Sequence, residues 1–196
     1  MKRKWEQSKT ERVCSIDIDG VLNLYPKPWV DFINQHITLT TGMTKIEDLR
    51  QAKETISYQT YKDLKFKYRE SGIKERLEIR PGAKELTNML KAWGYKIVIL
   101  TSRPFEDHRN LQLQTIRWLN NNQIPFDQLI NGKDKYVKVM SQIPHLKFHL
   151  EDHRYYANLI GQWGYRVYLV DSEYNQGTLD ENVMRINDLL EVLDNE

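Results

Sequence analysis

Short apolar runs punctuate the chain at residues 12–17, 96–101, 128–131, 147–151 and 166–171. They are rich in Val, Ile, Leu and Phe, the composition of strands buried on both faces. Between them, apolar positions recur at intervals of three and four, the spacing of a helix with one face turned inward. Pro81-Gly82 opens one such segment, with Ala83, Leu86, Met89, Leu90 and Trp93 on a face and Gly94 as its stop. A second spans 107–121, with Leu111, Thr115, Trp118 and Leu119 inward, and a short third follows Lys135. A fourth starts near Asp152, carries Tyr156, Leu159, Ile160 and Trp163, and stops at Gly164. The last starts at Leu179 behind the capping pattern Thr178-x-x-Glu181, with Val183, Ile186, Leu190 and Leu193 as its face. Strand alternating with helix predicts an α/β fold: a three-layer, Rossmann-like parallel sheet covered on both faces.

Residues 26–79 break this rhythm. They are polar, helical in pattern and rich in aromatics, including Trp29, Phe32, Tyr58, Tyr61, Phe66 and Tyr68. They follow directly on the first strand and its loop, so the expectation is a small helical cap inserted there, lying over the mouth of the sheet. The catalytic core is then 1–25 and 80–196. The alternative is a set of extra helices packed on the sheet edge.

Strand ends carry the polar residues with chemistry. The first run ends in Asp17-Ile18-Asp19-Gly20-Val21, the second in Thr101-Ser102-Arg103-Pro104 and the fourth in Glu151-Asp152. After the third comes Asn131-Gly132-Lys133-Asp134-Lys135, leading into a helix. Each alone is an ordinary loop or cap sequence. Together, in this order, they converge on one crevice, because ligands of open α/β sheets bind outside the carboxyl ends of the strands. The set suits transfer of a phosphoryl group. A phosphate ester is anionic, and a carboxylate attacks it only when charge is neutralised and geometry is in line. Mg2+ prefers carboxylate, carbonyl and water oxygens. Asp17 and Asp152 would supply side-chain oxygens and Asp19 its backbone carbonyl. Asp17 would attack phosphorus to give an aspartyl-phosphate. Asp19 would protonate the leaving oxygen and later deprotonate the hydrolytic water. Thr101, Ser102 and Lys135 would hold the other phosphoryl oxygens.

This order of motifs resembles the haloacid dehalogenase (HAD) superfamily of phosphohydrolases, over nearly the whole chain. Pro81-Gly82-Ala83 is also typical of that superfamily where a cap returns to the core. Within it, the small helical cap, the end of the second strand and Asp134-Lys135 resemble cytosolic 5'(3')-deoxyribonucleotidases. The phosphatase domains of polynucleotide kinases look related too, through 115–119 and 163–167. The resemblance implies a magnesium-dependent phosphomonoesterase, acting on a small phosphorylated substrate, above all a nucleoside monophosphate. Phosphatases for sugar phosphates or for nucleic-acid 3' ends are the alternatives, with a non-catalytic binding domain on the same fold behind them. The chain departs from the nucleotidase pattern in having Glu151 before Asp152, where two aspartates are usual. Lys133 competes with Lys135 for the phosphate.

The totals add limits. The chain has 196 residues, 40% hydrophobic and 29% charged, which suits one globular domain with a modest insertion. A net charge of +2 suits an anionic small substrate and argues for no stable nucleic-acid partner. The basic N-terminal stretch 1–12 lacks the apolar core of a signal peptide and reads as a solvated tail. No apolar stretch is long enough to span a bilayer. Cys14 is the one cysteine, inside the first strand. These features favour the cytoplasm. The oligomeric state is left open, with a homodimer among the alternatives. His145, His149 and His153 recur every four residues, but Pro144 and the strand at 147–151 weigh against a zinc-binding helix face. The stretch 133–138 reads as a solvated helix start. Trp29, Tyr61 and Phe66 are candidates to stack a base, or else the rings of a small core within the insertion.

Overall fold

The structure is a computed structural model that describes residues 11–37 and 45–196. The first ten residues of the expected N-terminal tail, and part of the insertion, lie outside the described residues. Six parallel strands form one sheet in the order β3-β2-β1-β4-β5-β6. They are β1 (Arg12–Ile16), β2 (Tyr95–Thr101), β3 (Gln128–Asn131), β4 (Leu146–Glu151), β5 (Arg166–Val170) and β6 (Val183–Ile186). The five expected runs are strands to within one residue at either end.

β6 corrects the reading of a terminal helix from Leu179. Val183 and Ile186 are three apart and fit a helix face, but they pair with Val167 and Val170 at the open edge of β5. The Asp180 carboxylate accepts the Asn182 N–H at 3.0 Å. That local turn competes with a helix start. Only α8 (Glu191–Asn195) is helical in this region.

Helices α4 (Ala83–Ala92), α5 (Leu111–Asn121), α6 (Lys135–Gln142) and α7 (Arg154–Gln162) connect the strands. One sheet face buries Leu86, Leu90, Trp118, Phe148 and Tyr168, and the other Leu100, Val139, Ile160 and Leu169. Trp93 and Trp163, placed inward by their spacing, are 37% and 59% exposed. Each is the residue after its helix, and the glycine that follows turns the chain with φ of +83° at Gly94 and +82° at Gly164.

After β1 the chain makes α1 (Lys27–His36), α2 (Leu49–Thr55) and α3 (Tyr58–Glu70), then a single 3-10 turn at Ile73–Glu75. Asp48 and Ser57 cap α2 and α3 by accepting the N–H of Gln51 and Thr60. These helices close on an apolar cluster of their own that includes Trp29, Phe32, Ile33, Leu64 and Tyr68, distinct from the two sheet-face clusters. The chain enters and leaves this segment as two hydrogen-bonded strands of backbone. Leu24 N–H donates to Glu78 at 3.2 Å and Arg80 N–H to Leu22 at 2.8 Å. Among the described residues, no helix is long and apolar enough to cross a membrane.

Candidate active site

β1 lies between β2 and β4, where the strand order reverses, so the crevice outside its carboxyl end is the expected ligand position. Asp17 stands at that end, its N–H donating to Leu150 of β4 at 3.0 Å. The chain then turns sharply, with the Val21 and Leu22 N–H groups both donating to the Ile18 carbonyl. Gly20 has φ of +89°, and a Cβ there would overlap the Asp152 carboxylate. Glycine is therefore required on two counts, conformation and close approach. Arg80 braces the turn from the returning chain, donating to the carbonyls of Gly20 at 2.8 Å and Val21 at 3.0 Å.

Lys135, the first residue of α6, is buried and sits between two carboxylates. Its Nζ is 2.7 Å from Asp17 Oδ2 and 2.9 Å from Glu151 Oε2. Burial works against its charge, but Asp17, Glu151 and Asp152 outweigh that and raise its pKa above the usual lysine value. Glu151 is saturated: besides Lys135 it accepts the N–H groups of Asp152 and His153, and it pairs with His149 Nε2 at 3.1 Å. Burial opposes its charge too, yet Lys135 and His149 hold the carboxyl well below the ordinary range. The role of Glu151 is thus to fix Lys135. His149 is committed to Glu151 and, through Nδ1, to Ser15 Oγ at 2.7 Å, which removes the zinc alternative for this histidine.

Asp17 and Asp152 are the opposite case. Burial pushes the Asp17 carboxyl up to about 7 in spite of Lys135. Asp152 is raised well above the ordinary value by burial and by the neighbouring Glu151 and Asp17. Asp17 Oδ1 is buried without a hydrogen-bond partner. Tyr174 donates to Asp152 Oδ2 at 2.5 Å, and Asn175 anchors the Asp152 carbonyl at 2.8 Å. Among the described residues, Asp17, Glu151 and Asp152 are the group whose ligand atoms lie within 4.8 Å of one another. Two buried carboxylates short of positive charge, one with an orphaned oxygen, fit a hard divalent cation. With Glu151 occupied, Asp17 and Asp152 are the side chains left to hold it.

Asp19 is turned away from these acids. Arg103 grips it with both arms of its guanidinium, Nε to Oδ2 at 3.0 Å and Nη2 to Oδ1 at 2.7 Å. Lys74 adds a third contact at 2.8 Å, and Asn23 a fourth at 3.0 Å. Burial opposes its charge, but Arg103 and Lys74 hold the carboxyl well below the usual value. In this arrangement Asp19 is an ion-pair partner, and it has no proton to give at neutral pH. No sequence pattern marks Arg103 or Lys74 as site residues. Arg103 was within reach, two residues beyond Thr101, whereas Lys74 lies in the helical insertion and has no motif around it.

The remaining expected residues divide. Ser102 lines the cavity. Thr101 is buried at the end of β2, where its Oγ1 accepts the Arg103 N–H at 3.3 Å. Lys133 is exposed and makes none of the contacts of Lys135. Trp29 is fully buried against Phe32, Tyr61 and Tyr68, and its indole N–H donates to Tyr61 at 3.1 Å. Phe66 is 55% exposed and packs at a tilt against His108. None of Trp29, Tyr61 and Phe66 lines the cavity at Asp17. Trp29 and Tyr61 belong to the apolar cluster of the insertion, the alternative the sequence left open for these rings, and Phe66 lies outside that cluster. The cavity has a volume of about 220 Å3, and its walls are charged, with Tyr25, Tyr156, Leu111 and Pro104 as the less polar parts.

The six-stranded parallel sheet in this order, with helices on both faces, has the haloacid dehalogenase-like fold. Two curated relatives carry nucleotidase names. The chain is 28% identical over 182 residues to "Putative nucleotidase YqfW" of Bacillus subtilis, which covers 91% of this chain and 90% of that one. It is 26% identical over 187 residues to "Nucleotidase CA_C3379" of Clostridium acetobutylicum, covering 88% and 86%. A haloacid dehalogenase-like family protein, SP0104 of Streptococcus pneumoniae, shares the fold with a TM-score of 0.62 at 13% identity, over 95% of this chain and 98% of that one. A heptose 1,7-bisphosphate phosphatase from B. bronchiseptica, solved with magnesium and phosphate, does so with a TM-score of 0.58 at 13% identity, over 94% and 97%. No family model matches the chain.

Proposed function

We propose that the protein is a magnesium-dependent phosphomonoesterase that acts through an aspartyl-phosphate on Asp17, with nucleoside monophosphates as its substrate class. The observation that carries the chemistry is the Asp17 carboxylate, buried at the strand end, held on one oxygen by Lys135 and bare on the other. A carboxylate kept from water and aimed by one fixed contact is a prepared nucleophile. Asp17 and Asp152 would hold the metal ion, with the Asp19 carbonyl as a third ligand, and the ion would neutralise phosphoryl charge. Lys135 and the Ser102 hydroxyl would bind phosphoryl oxygens. An Asp17 oxygen bonds to phosphorus as the ester bond breaks, and the electron pair leaves on the ester oxygen, which takes a proton. Water then attacks phosphorus, loses a proton to the same acid, and releases phosphate and free Asp17.

Asp19 is the acid for these proton transfers once its carboxylate leaves Arg103 and Lys74. A bound phosphate dianion competes for those two cations, so substrate itself would loosen the clamp. The segment 26–79 is read as a cap on the core of 1–25 and 80–196, since it brings Lys65, Arg69 and Lys74 to the cavity. The nucleotide reading rests on the names of the two curated relatives. A second reading, small sugar phosphates, is favoured by the cavity itself. At about 220 Å3 it is below the roughly 300–1,000 Å3 of sites that enclose larger ligands.

Phosphate release across a panel of nucleoside monophosphates and sugar phosphates, with Mg2+ present, separates the two readings. The Asp17→Asn variant should lose activity by at least about 10⁴-fold, as loss of a nucleophile does elsewhere, with the fold retained. Substantial activity in that variant would reject the mechanism.

A further inference from the structure

The cavity has a floor and a roof of different character. The floor, at the strand ends, carries Asp17, Glu151, Asp152 and Lys135, three carboxylates against one ammonium, a deficit that a divalent cation would make good. The roof comes from α3 and the turn after it, and it presents Lys65, Arg69 and Lys74. Of these, Lys74 shares Asp19 with Arg103. Lys65 and Arg69 are four residues apart on α3 and so lie on one face. Among the described residues, neither has a carboxylate within ion-pair distance. The hydrogen bond of Lys65 Nζ goes to the Tyr25 hydroxyl at 3.1 Å, and the ammonium stands over the rings of Trp29 at 4.3 Å and Tyr25 at 4.9 Å.

A half-buried lysine with aromatic neighbours and no anion is costly to keep charged. Burial and the nearby Lys74 and Arg69 hold its proton affinity well below the usual value. Counting the whole lining, five cations face four carboxylates. A divalent metal and a phosphomonoester dianion cancel each other and leave that surplus standing.

Resting on the phosphatase reading, we propose that the substrate carries a second anionic group, a carboxylate or a second phosphate, on its leaving-group side, and that Lys65 and Arg69 bind it. Lys65, Tyr25 and Arg69 form the subsite: the ammonium and guanidinium neutralise the anion, and the tyrosine hydroxyl is a further donor. The scissile phosphate occupies the floor. The small volume of the cavity fits a short spacer between the two groups. For a nucleotide substrate, the subsite replaces the nucleoside monophosphate class proposed above with nucleosides that carry a second phosphate.

The test uses matched pairs of esters assayed for phosphate release with Mg2+: ethyl phosphate against carboxymethyl phosphate, and propanediol monophosphate against its bisphosphate, with an aryl phosphate as a generic substrate. The wild-type protein should favour the doubly anionic member of at least one pair by about ten-fold or more in kcat/KM, and the pair that responds identifies the second anion as carboxylate or phosphate. Lys65→Met and Arg69→Met should each reduce that ratio at least three-fold, while Lys65→Arg, which keeps the charge, should restore most of it. Equal kcat/KM within both pairs, with the aryl phosphate hydrolysed, would overturn the subsite and leave the phosphatase reading in place. Should the Lys65→Met variant not fold, Arg69→Met and the wild-type ratios decide. Calorimetric binding of the same pairs to Asp17→Asn reads the subsite without turnover. Tighter binding of the doubly anionic members supports it even if no ester is hydrolysed, and equal binding rejects it.

Discussion

Lys135 is the residue through which the site is held together. Its ammonium touches Asp17 and Glu151, and removing it strands two buried carboxylates beside Asp152. Breaking a buried pair by deleting one partner costs about 3–5 kcal/mol. Lys135→Ala should therefore lower the melting temperature by roughly 10 °C, at about 2–4 °C per kcal/mol for a chain of this size, and also abolish turnover. Lys133→Ala should change neither measurably, because surface substitutions stay within about 0.5 kcal/mol. Thermal melts and rates on the two variants check this, and a larger loss in Lys133→Ala would move the phosphate contact to that residue.

Two elements can be probed apart from the chemistry. The helical segment owes its cohesion to the Trp29 ring, fully buried among Phe32, Tyr61 and Tyr68. Trp29→Ala should cost about 3–5 kcal/mol, as large-to-alanine changes in cores do, and should reduce activity on nucleotide and aryl substrates alike. An unchanged melt with a loss confined to nucleotides would favour the stacking role. On the opposite side, Asp127 ties α4 to β2: its carboxylate accepts from Lys91 at 2.8 Å and from the Ile97 N–H at 2.7 Å. Burial opposes its charge, but those two donors outweigh it and hold its pKa below the ordinary 3.8. A carboxyl depressed in the folded state adds stability above its unfolded pKa and loses it as pH falls through the folded value. Asp127→Asn should thus lower the melting temperature at pH 7, and the gap to wild type should close as pH drops below about 4. A gap that is constant with pH would show that the charge contributes nothing.

At the scale of the molecule, the sheet brings together acids from strands far apart in sequence, and it does so at a cost. Asp17 and Asp152 are both destabilised as anions in the folded protein. Anything that binds the folded state alone stabilises it by mass action, about 2.7 kcal/mol at a concentration of a hundred times Kd. Adding Mg2+ to the metal-stripped protein should therefore raise the melting temperature by several degrees, and a strong chelator should reverse this and abolish phosphate release. In Asp152→Asn the thermal shift should shrink. An identical shift in wild type and variant would place the ion elsewhere.

The layered fold and the convergence of strand ends on one crevice are legible in the local pattern of the chain. Its five apolar runs are strands because a strand buried on both faces needs an unbroken apolar stretch, and that need is visible residue by residue. Asp17 and Asp152 are legible for a related reason, since each stands at the junction of a run and a loop at the sheet's carboxyl edge, and Lys135 because it opens the helix that follows the third run. What the tertiary structure decided is everything that depends on partners distant along the chain. The edge strand Val183–Ile186 exists because β5 offers an open edge, against a spacing that fits a helix equally well. Trp29 is buried because three other rings close around it. Asp19 is clamped because Arg103 and Lys74, 84 and 55 residues away, converge on it. Glu151 serves Lys135, and Lys65 and Arg69 face the cavity, for reasons no local pattern contains. Hydrophobic periodicity is a local signal and survives in one dimension; charge compensation is a sum over neighbours in space, and only the folded chain defines who they are.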